Sequence, residues 1–239
     1  RVHPNHGKWA YTRCAMRLRT LGGLSLVGAG FRRTKPLLLL AYLCLEGRRS
    51  RRQLAELFWP LAEDPRHSLA TALSQLRSFD SGLVTVEDAG IAPNVECDAV
   101  ELLGLSASGR NAELLGEYGG PFLEGVDVDN VSSEVEEWIY ETREAVGRTV
   151  LAAQVELAEH YLQRGEREDA ARIAGRAAET FRDLVLEPEE LQRLHALLQA
   201  VGNPAARLVL QEAHSLGLEL AGTRGADRTT HFEMPKPRT

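Results

Sequence analysis

Two short amphipathic segments, separated by a brief polar joint, restrict the fold of this sequence more than any other feature. They form SRRQLAELFWPLAEDPRHSLATALSQLRS, residues 50–78. The first segment begins at Ser50, which has the capping-box spacing to Gln53, and the proline of FWP ends it. The second segment has Asp64 as N-cap and Pro65 at its first helical position. This pattern predicts two helices in a helix-turn-helix arrangement.

The second helix, residues 65–78, is predicted to have one apolar and one polar face. At 100° per residue, the apolar face consists of Leu69, Ala72, Leu73 and Leu76. The opposite face carries His67, Thr71, Ser74 and Ser78, with Gln75 beside them and Arg66 and Arg77 at the flanks. Serine and threonine are poor helix formers, and an outer face that only keeps a helix soluble more commonly carries Glu, Lys or Gln. Short polar side chains allow a helix to approach base edges, so the pattern favours a DNA-reading helix over a merely soluble face.

The segments around these two helices complete the order of a winged helix. RLRTLGGLSLVGAG predicts two short strands with a turn at Gly22–Gly23. PLLLLAYLCL is apolar nearly all round and predicts a buried helix over about residues 35–46, ending at Gly47. LVTVEDAGIAPNVECD predicts a β-hairpin with an acidic tip, which would be the wing. We therefore expect a winged-helix domain over residues 16–97.

The basic run RRSRR, residues 48–52, precedes and enters the first helix of the pair. Positive charge at a helix N-terminus slightly opposes the helix dipole, which favours phosphate contact over a merely solvated loop. On the second helix, Gln75 is expected to pair with adenine, and the flanking arginines are expected to contact phosphates or guanine. The expected DNA-binding residues are Arg51, Arg52, Arg66, His67, Thr71, Ser74, Gln75, Arg77 and Ser78.

Residues 98–222 predict a second domain that is helical throughout. A near-helical apolar period from Val135 to Tyr161 predicts one long helix. Two series with the spacing of a tetratricopeptide helix pair follow: Leu157, Tyr161, Gly165 and Ala170, then Leu194, Leu198, Gly202 and Ala206. Such repeats stack helix pairs into a protein-binding surface. The predicted fold class is therefore mainly α, a winged helix-turn-helix domain followed by an all-α tetratricopeptide-like domain.

Charge separates the two predicted domains. Residues 16–96 contain 11 Lys and Arg against 8 Asp and Glu, whereas residues 98–222 contain 10 against 24. Nucleic acid is therefore expected to meet the first half, because the acidic half would repel it. The polar segments at residues 1–15 and 223–239 are expected to be disordered tails, with Met16 as the natural start.

No enzyme motif is found in the sequence. It lacks the glycine-rich phosphate loop G-x-x-x-x-G-K-S/T, and its cysteines, Cys14, Cys44 and Cys97, have neither metal-ligand nor disulfide spacing. We therefore expect no enzymatic activity, no cofactor and no metal. The longest apolar run is about half the roughly 20 residues of a membrane span, and we see no signal peptide. We expect a cytoplasmic protein with no membrane partner.

Four phrases follow one another along the chain in a distinctive order. They are LLLLAYLCLEGRRSRRQLAELFWP, RHSLATALSQLR, GGPFLEG and EVEEWIYETREAV. In this order they resemble the Streptomyces antibiotic regulatory protein type of bacterial transcription activator, over about residues 16–222. The resemblance implies an OmpR-type winged helix followed by a helical bacterial transcriptional activator domain.

The resemblance also implies a function. The winged helix would bind direct repeats in double-stranded promoter DNA, with residues 65–78 in the major groove and further contacts near residues 50–52. The helical domain would support a homodimer and contact RNA polymerase to activate transcription. In this chain, Gln75 stands where members of the family often carry arginine. Two alternatives stay open: a repressor that uses the same DNA site, and a tetratricopeptide-like adaptor with a degenerate winged helix.

Overall fold

A computed structural model of the protein describes residues 16–220. The predicted tails, residues 1–15 and 223–239, lie outside the described residues. The chain divides into two compact units, Arg1–Ala153 and Gln154–Thr239. Helices predominate in the described part of the chain, so the predicted mainly α fold class is confirmed.

In the described residues, two short strands are followed by three helices and three further short strands up to Cys97, and helices follow. The strands are β1 (Arg17–Arg19), β2 (Ser25–Leu26), β3 (Val84–Glu87), β4 (Gly90–Pro93) and β5 (Glu96–Cys97). The helices are α1 (Thr34–Glu46), α2 (Arg51–Phe58), α3 (Pro65–Phe79), α4 (Asp98–Ala107), α5 (Asn111–Glu117), α6 (Ser133–Gln163), α7 (Arg167–Thr180), α8 (Pro188–Ala200) and α9 (Ala206–Ser215). A turn of 3-10 helix, Phe181–Asp183, follows α7.

Three strands form a small sheet in the order β2–β1–β5. β1 and β2 are antiparallel, with Leu18 opposite Leu26, and the predicted glycine turn lies between them. β1 also pairs in parallel with β5, where Leu18 lies opposite Cys97. This second pairing joins residues that are distant in the chain, so no local sequence pattern predicted it.

Helix α1 lies at the centre of the first unit. Its residues from Pro36 to Leu43 are all buried, as expected for a helix that is apolar on every side. Tyr42 packs edge-on against Phe58 of α2, with 5.5 Å between the ring centres. The helix ends at Gly47, whose φ of 77° lies in the left-handed region that glycine adopts most easily.

Local capping signals fix the starts of α2 and α3. The Ser50 hydroxyl accepts a hydrogen bond from the Gln53 N–H at 3.2 Å, and α2 begins at the next residue. The Asp64 carboxylate accepts a hydrogen bond from the His67 N–H at 2.9 Å. α3 then begins at Pro65, where the N–H that proline lacks would have no partner within the helix. Both predicted N-caps are confirmed, but of the capping box at Ser50 only the bond to the Ser50 hydroxyl is present, and the reciprocal bond from the Ser50 N–H to the Gln53 side chain is not formed.

Strands β3 and β4 form the predicted hairpin, with Glu87 opposite Gly90 and two residues between them. The backbone of Arg49, in the α1–α2 connection, forms a bridge to Ile91 of β4. Gly90 has a φ of 134°, and a Cβ atom there would lie 2.5 Å from the Arg49 carbonyl oxygen. Glycine therefore allows the hairpin to lie directly against the helix connection, and the three helices with this hairpin have the arrangement of a winged helix.

Residues after the winged helix also belong to the first unit. The loop GGPFLEG packs against the β1–β2 turn, where the Gly22 N–H donates to the Pro121 carbonyl oxygen at 2.9 Å. A Cβ atom on Gly22 would lie 2.3 Å from the Gly119 carbonyl oxygen. Only a residue without a side chain fits at this contact.

Trp138, in the first turns of α6, packs against both α1 and the GGPFLEG loop. Its ring lies edge-on to Tyr42 of α1 at 4.9 Å and to Phe122 of the loop at 5.7 Å. Its indole N–H donates to the Glu46 carboxylate at 3.1 Å. The compact first unit includes the start of α6 because of these contacts, whereas the domain boundary after residue 97 stays a prediction.

The second unit contains the end of α6, followed by α7, α8 and α9. Gly165, with a φ of 78°, and Gly202, with a φ of 71°, lie in the turns after α6 and α8. Arg193 of α8 donates two hydrogen bonds to the Glu159 carboxylate of α6, at 3.0 and 2.6 Å. The buried side chains of α7 and α8 include Ala170, Ile173, Ala174, Ala177, Leu191, Leu194 and Leu198. The assignment of these helix pairs to the tetratricopeptide class stays a prediction.

Candidate nucleic-acid interface

Helix α3 is anchored by one face and leaves the other accessible. It spans 15 residues, about 22 Å at 1.5 Å per residue. Its buried side chains are those of the predicted apolar face, Leu69, Ala72, Leu73 and Leu76. Rotation of α3 about its axis would take these side chains out of the core, so the direction of the polar face is fixed by packing.

The residues of α3 that were predicted to contact DNA lie together on one side of the helix. Those with exposed side chains are Arg66, His67, Thr71, Ser74, Arg77 and Ser78. Gln75 is half-buried at the edge of this row. The structure brings these residues to one surface, and their contact with DNA stays a prediction.

The polar face of α3 is positive and offers hydrogen-bond acceptors as well as donors. α3 contains no Asp or Glu, while Arg66 and Arg77 lie near its two ends. The Thr71 hydroxyl donates to the His67 carbonyl oxygen at 3.0 Å. Because its proton is committed to the helix, this hydroxyl would meet a base as an acceptor, which suits the amino group of adenine or cytosine.

The two arginines that were predicted to contact phosphate lie in the first turn of α2 and are both exposed. Arg52 Nε lies 2.9 Å from a carboxylate oxygen of Glu56, and this hydrogen bond raises the pKa of Arg52. Within residues 16–220, no carboxylate lies within ion-pair distance of Arg51. Arg51 is therefore the more available of the two for a phosphate, because Arg52 would have to share its charge with Glu56.

The acidic wing tip is connected to the helix-turn-helix by an ion pair. Arg48 Nη1 lies 2.5 Å from a carboxylate oxygen of Glu87, at the end of β3. Asp88 follows in the exposed turn. The ion pair holds the wing against the α1–α2 connection, and the exposed carboxylate of Asp88 makes the tip unsuited to approach a phosphate.

Two arginines that no sequence pattern singled out follow a residue that packs against α3. Phe31 packs edge-on against Phe79, the last residue of α3, with 5.3 Å between the ring centres. Arg32 and Arg33 follow Phe31 and are exposed. Two adjacent basic residues immediately before an apolar helix were the available sequence signal, but their position relative to α3 depends on the phenylalanine contact.

A shallow, acid-lined cleft of about 560 Å³ lies between α4 and α5. Glu101 and Glu117 line it, and Arg17 binds both carboxylates, at 2.8 and 2.7 Å. Burial raises the pKa of Glu101. The lining residues belong to α4, α5 and the turn between them, so the cleft is separate from the polar face of α3.

In residues 16–220, no three His, Cys, Asp or Glu side chains are grouped so that they could hold a metal ion. His195 of α8 is buried, and burial lowers its pKa. None of the helices in that same range has the length and apolar character needed to cross a membrane.

Solved structures include chains that are similar to this one. No family model matches the chain, and no curated protein matches it. Among solved structures, the chain is similar to the one described as Mycobacterium tuberculosis EmbR in complex with low affinity phosphopeptide, with 15% sequence identity and a TM-score of 0.40. The match covers 86% of this chain and 66% of that one.

Proposed function

We propose that the protein is a sequence-specific DNA-binding transcription regulator that acts as an activator. The observation that carries the proposal is the row of small polar and basic side chains on α3, a helix whose opposite face is fixed in the core. A reading helix needs both properties, because base recognition requires side chains held at a defined position and orientation.

In the proposed complex, α3 lies in the major groove and its polar face meets the base edges. Gln75 pairs with adenine, and Thr71 accepts a hydrogen bond from a base amino group. Arg66 and Arg77 contact phosphates or guanine, and Arg51 fixes the register of the protein on the backbone. His67, Ser74 and Ser78 complete the contact surface.

The wing has a different role in this proposal. Its tip carries Asp88, and Glu87 is occupied by Arg48. A phosphate would be repelled by Asp88, so the wing stands clear of the DNA. The wing supports the helix connection and does not read the minor groove.

The helical part of the chain supplies the output in this proposal. Residues 98–222 carry 24 Asp and Glu against 10 Lys and Arg, so they face away from DNA. We propose that they join two copies of the chain on a direct repeat and contact RNA polymerase. A repressor would use the same DNA site with the opposite output.

The decisive experiment is selection of duplexes from a random pool by the full chain, followed by titration of the enriched sequence at several salt concentrations. Enrichment of a spaced direct repeat, with a linear fall of log affinity against log salt, is the expected result. A promoter with this repeat should then give more transcript when the protein is added to purified polymerase. No enrichment, together with weak binding that salt does not change, would favour the adaptor.

A further inference from the structure

We infer that Arg32 and Arg33 form a second phosphate clamp at the C-terminal end of α3, in addition to the arginine of α2. This inference rests on the proposed function, because it concerns the same DNA complex. The first observation is placement: Phe31 and Phe79 are in edge-on contact at 5.3 Å between ring centres. Phe31 is therefore held at the last residue of α3, and Arg32 and Arg33 follow it directly in the chain.

The second observation is the availability of these arginines. Both side chains are exposed, and within residues 16–220 neither has a carboxylate at ion-pair distance. Asp80, the residue that follows α3, is half-buried, and its carboxylate accepts the Gly82 N–H at 2.7 Å. Arg77 lies in the last turn of α3. The Asp80 carboxylate is therefore engaged by its own turn, and Arg77 adds a third arginine to the segments that meet at Phe31 and Phe79.

The third observation is the length of the helix. α3 spans 15 residues, about 22 Å, whereas the major groove is about 12 Å wide. A helix that enters the groove by its N-terminal part therefore leaves its C-terminal end beside a phosphate backbone. Arg51 and Arg66 contact phosphates at the end of α3 that enters the groove first, and Arg32 and Arg33 contact phosphates at the opposite end. The clamp also explains how the complex is supported without a basic wing.

The test compares the salt dependence of DNA binding by the full chain and by two double variants. R32Q/R33Q removes two positive charges at the proposed clamp. R182Q/R207Q is the matched control, because it removes two exposed arginines of the second unit. Affinity for the selected duplex and for a random duplex is measured at four or more salt concentrations, and the melting temperature of each protein is recorded.

The clamp predicts that R32Q/R33Q binds both duplexes more weakly by a similar factor, with a salt slope less steep by about 1.8, or 0.9 for each lost phosphate contact. The control keeps the wild-type slope, and the charge-preserving variant R32K/R33K keeps most of it. All melting temperatures remain near that of the wild type, so the loss cannot be attributed to unfolding.

Two results would overturn the clamp and leave the proposed function intact. The first is an unchanged salt slope in R32Q/R33Q while the wild type binds DNA specifically. The second is a change of salt slope in R182Q/R207Q as large as that in R32Q/R33Q. A wild type with no DNA binding would remove the proposed function, and the clamp with it. R32Q/R33Q could also melt at a lower temperature, and R32K/R33K could restore the melting temperature. That result supports the clamp only if R32K/R33K restores the salt slope as well. Recovery of stability without recovery of the slope would count against it.

Discussion

Helices α3 and α7 have nearly the same length, 15 and 14 residues, and each buries one face. Their exposed faces differ in kind. The outer face of α7 carries charges of both signs, and one pair, Asp169 and Arg172, forms an ion pair at 2.7 Å. The outer face of α3 carries serine, threonine, histidine and arginine, and no acidic residue.

The exposed faces of α3 and α7 are built from different types of residue. α7 uses long side chains of opposite charge, which favour the helix and pair with one another. α3 lacks this device and instead has short polar side chains that favour the helix less. The face of α3 therefore carries residues selected for something other than helix formation.

The largest expected effect comes from the anchor of α3. Leu76 is fully buried, and Leu76→Ala should lower the free energy of unfolding by about 2–5 kcal/mol, because a cavity replaces the leucine side chain. Urea unfolding measures this change. Ser78→Ala on the exposed face is the control, and it should stay within about 0.5 kcal/mol of the wild type. Similar losses in both variants would show that the two faces are not distinct.

A smaller effect is expected on the polar face, and it should appear in binding. Gln75→Ala should weaken binding to the selected duplex by about 1–3 kcal/mol and leave random DNA almost unchanged. Fluorescence anisotropy titrations with both duplexes give the two values. Glu179→Ala, on the exposed face of α7, is the control and should alter neither. Equal losses on both duplexes would remove Gln75 from the reading residues.

The N-terminal caps of α3 and α7 should differ in how much they contribute to the free energy of unfolding. The Asp64 carboxylate caps α3, so Asp64→Ala should lower the free energy of unfolding by about 0.5–2 kcal/mol. Asp64→Asn should retain most of the stability that the cap contributes, because asparagine also caps helices well. α7 begins after Glu166, whose side chain makes no cap hydrogen bond. Glu166→Ala should therefore have little effect in the same denaturation experiment, and a loss as large as that of Asp64→Ala would contradict the assignment of the caps.

The smallest effect is expected for the ion pair on α7. Asp169→Ala should lower the free energy of unfolding by about 0.2–0.5 kcal/mol, because exposed pairs one turn apart contribute little. The difference should shrink when the unfolding curves are repeated in high salt. Binding to the selected duplex should be unchanged. A clear loss of DNA affinity would mean that the outer face of α7 also belongs to the interface.

Features fixed by neighbouring residues were accessible from the sequence. The starts of α2 and α3 follow from Ser50 and Asp64, because a cap needs only the residue itself and the next turn of backbone. The buried face of α3 follows from the 100° rotation per residue. These rules also place the predicted DNA contacts of α3 together on one surface.

Features that depend on distant residues were not accessible in the same way. The Arg48–Glu87 ion pair joins residues 39 positions apart, so the sequence showed an acidic wing tip but not that half of its charge is occupied. The difference between Arg51 and Arg52 depends on which carboxylate lies within reach. The position of Arg32 and Arg33 depends on the contact of two phenylalanine rings. Such pairings are set by the packing of whole elements, and no local pattern encodes them.

The contacts of Trp138 and of the GGPFLEG loop have a consequence for the transfer of this DNA-binding module to other proteins. Arg143 of α6 donates to the Phe122 and Leu123 carbonyl oxygens, both at 2.8 Å, and so ties the loop to the long helix. A fragment cut at residue 97 would leave Tyr42 and the β1–β2 turn uncovered. A fragment that transfers the reading helix to another protein should therefore extend to residue 153, so that Trp138 and the GGPFLEG loop still pack on Tyr42 and the β1–β2 turn.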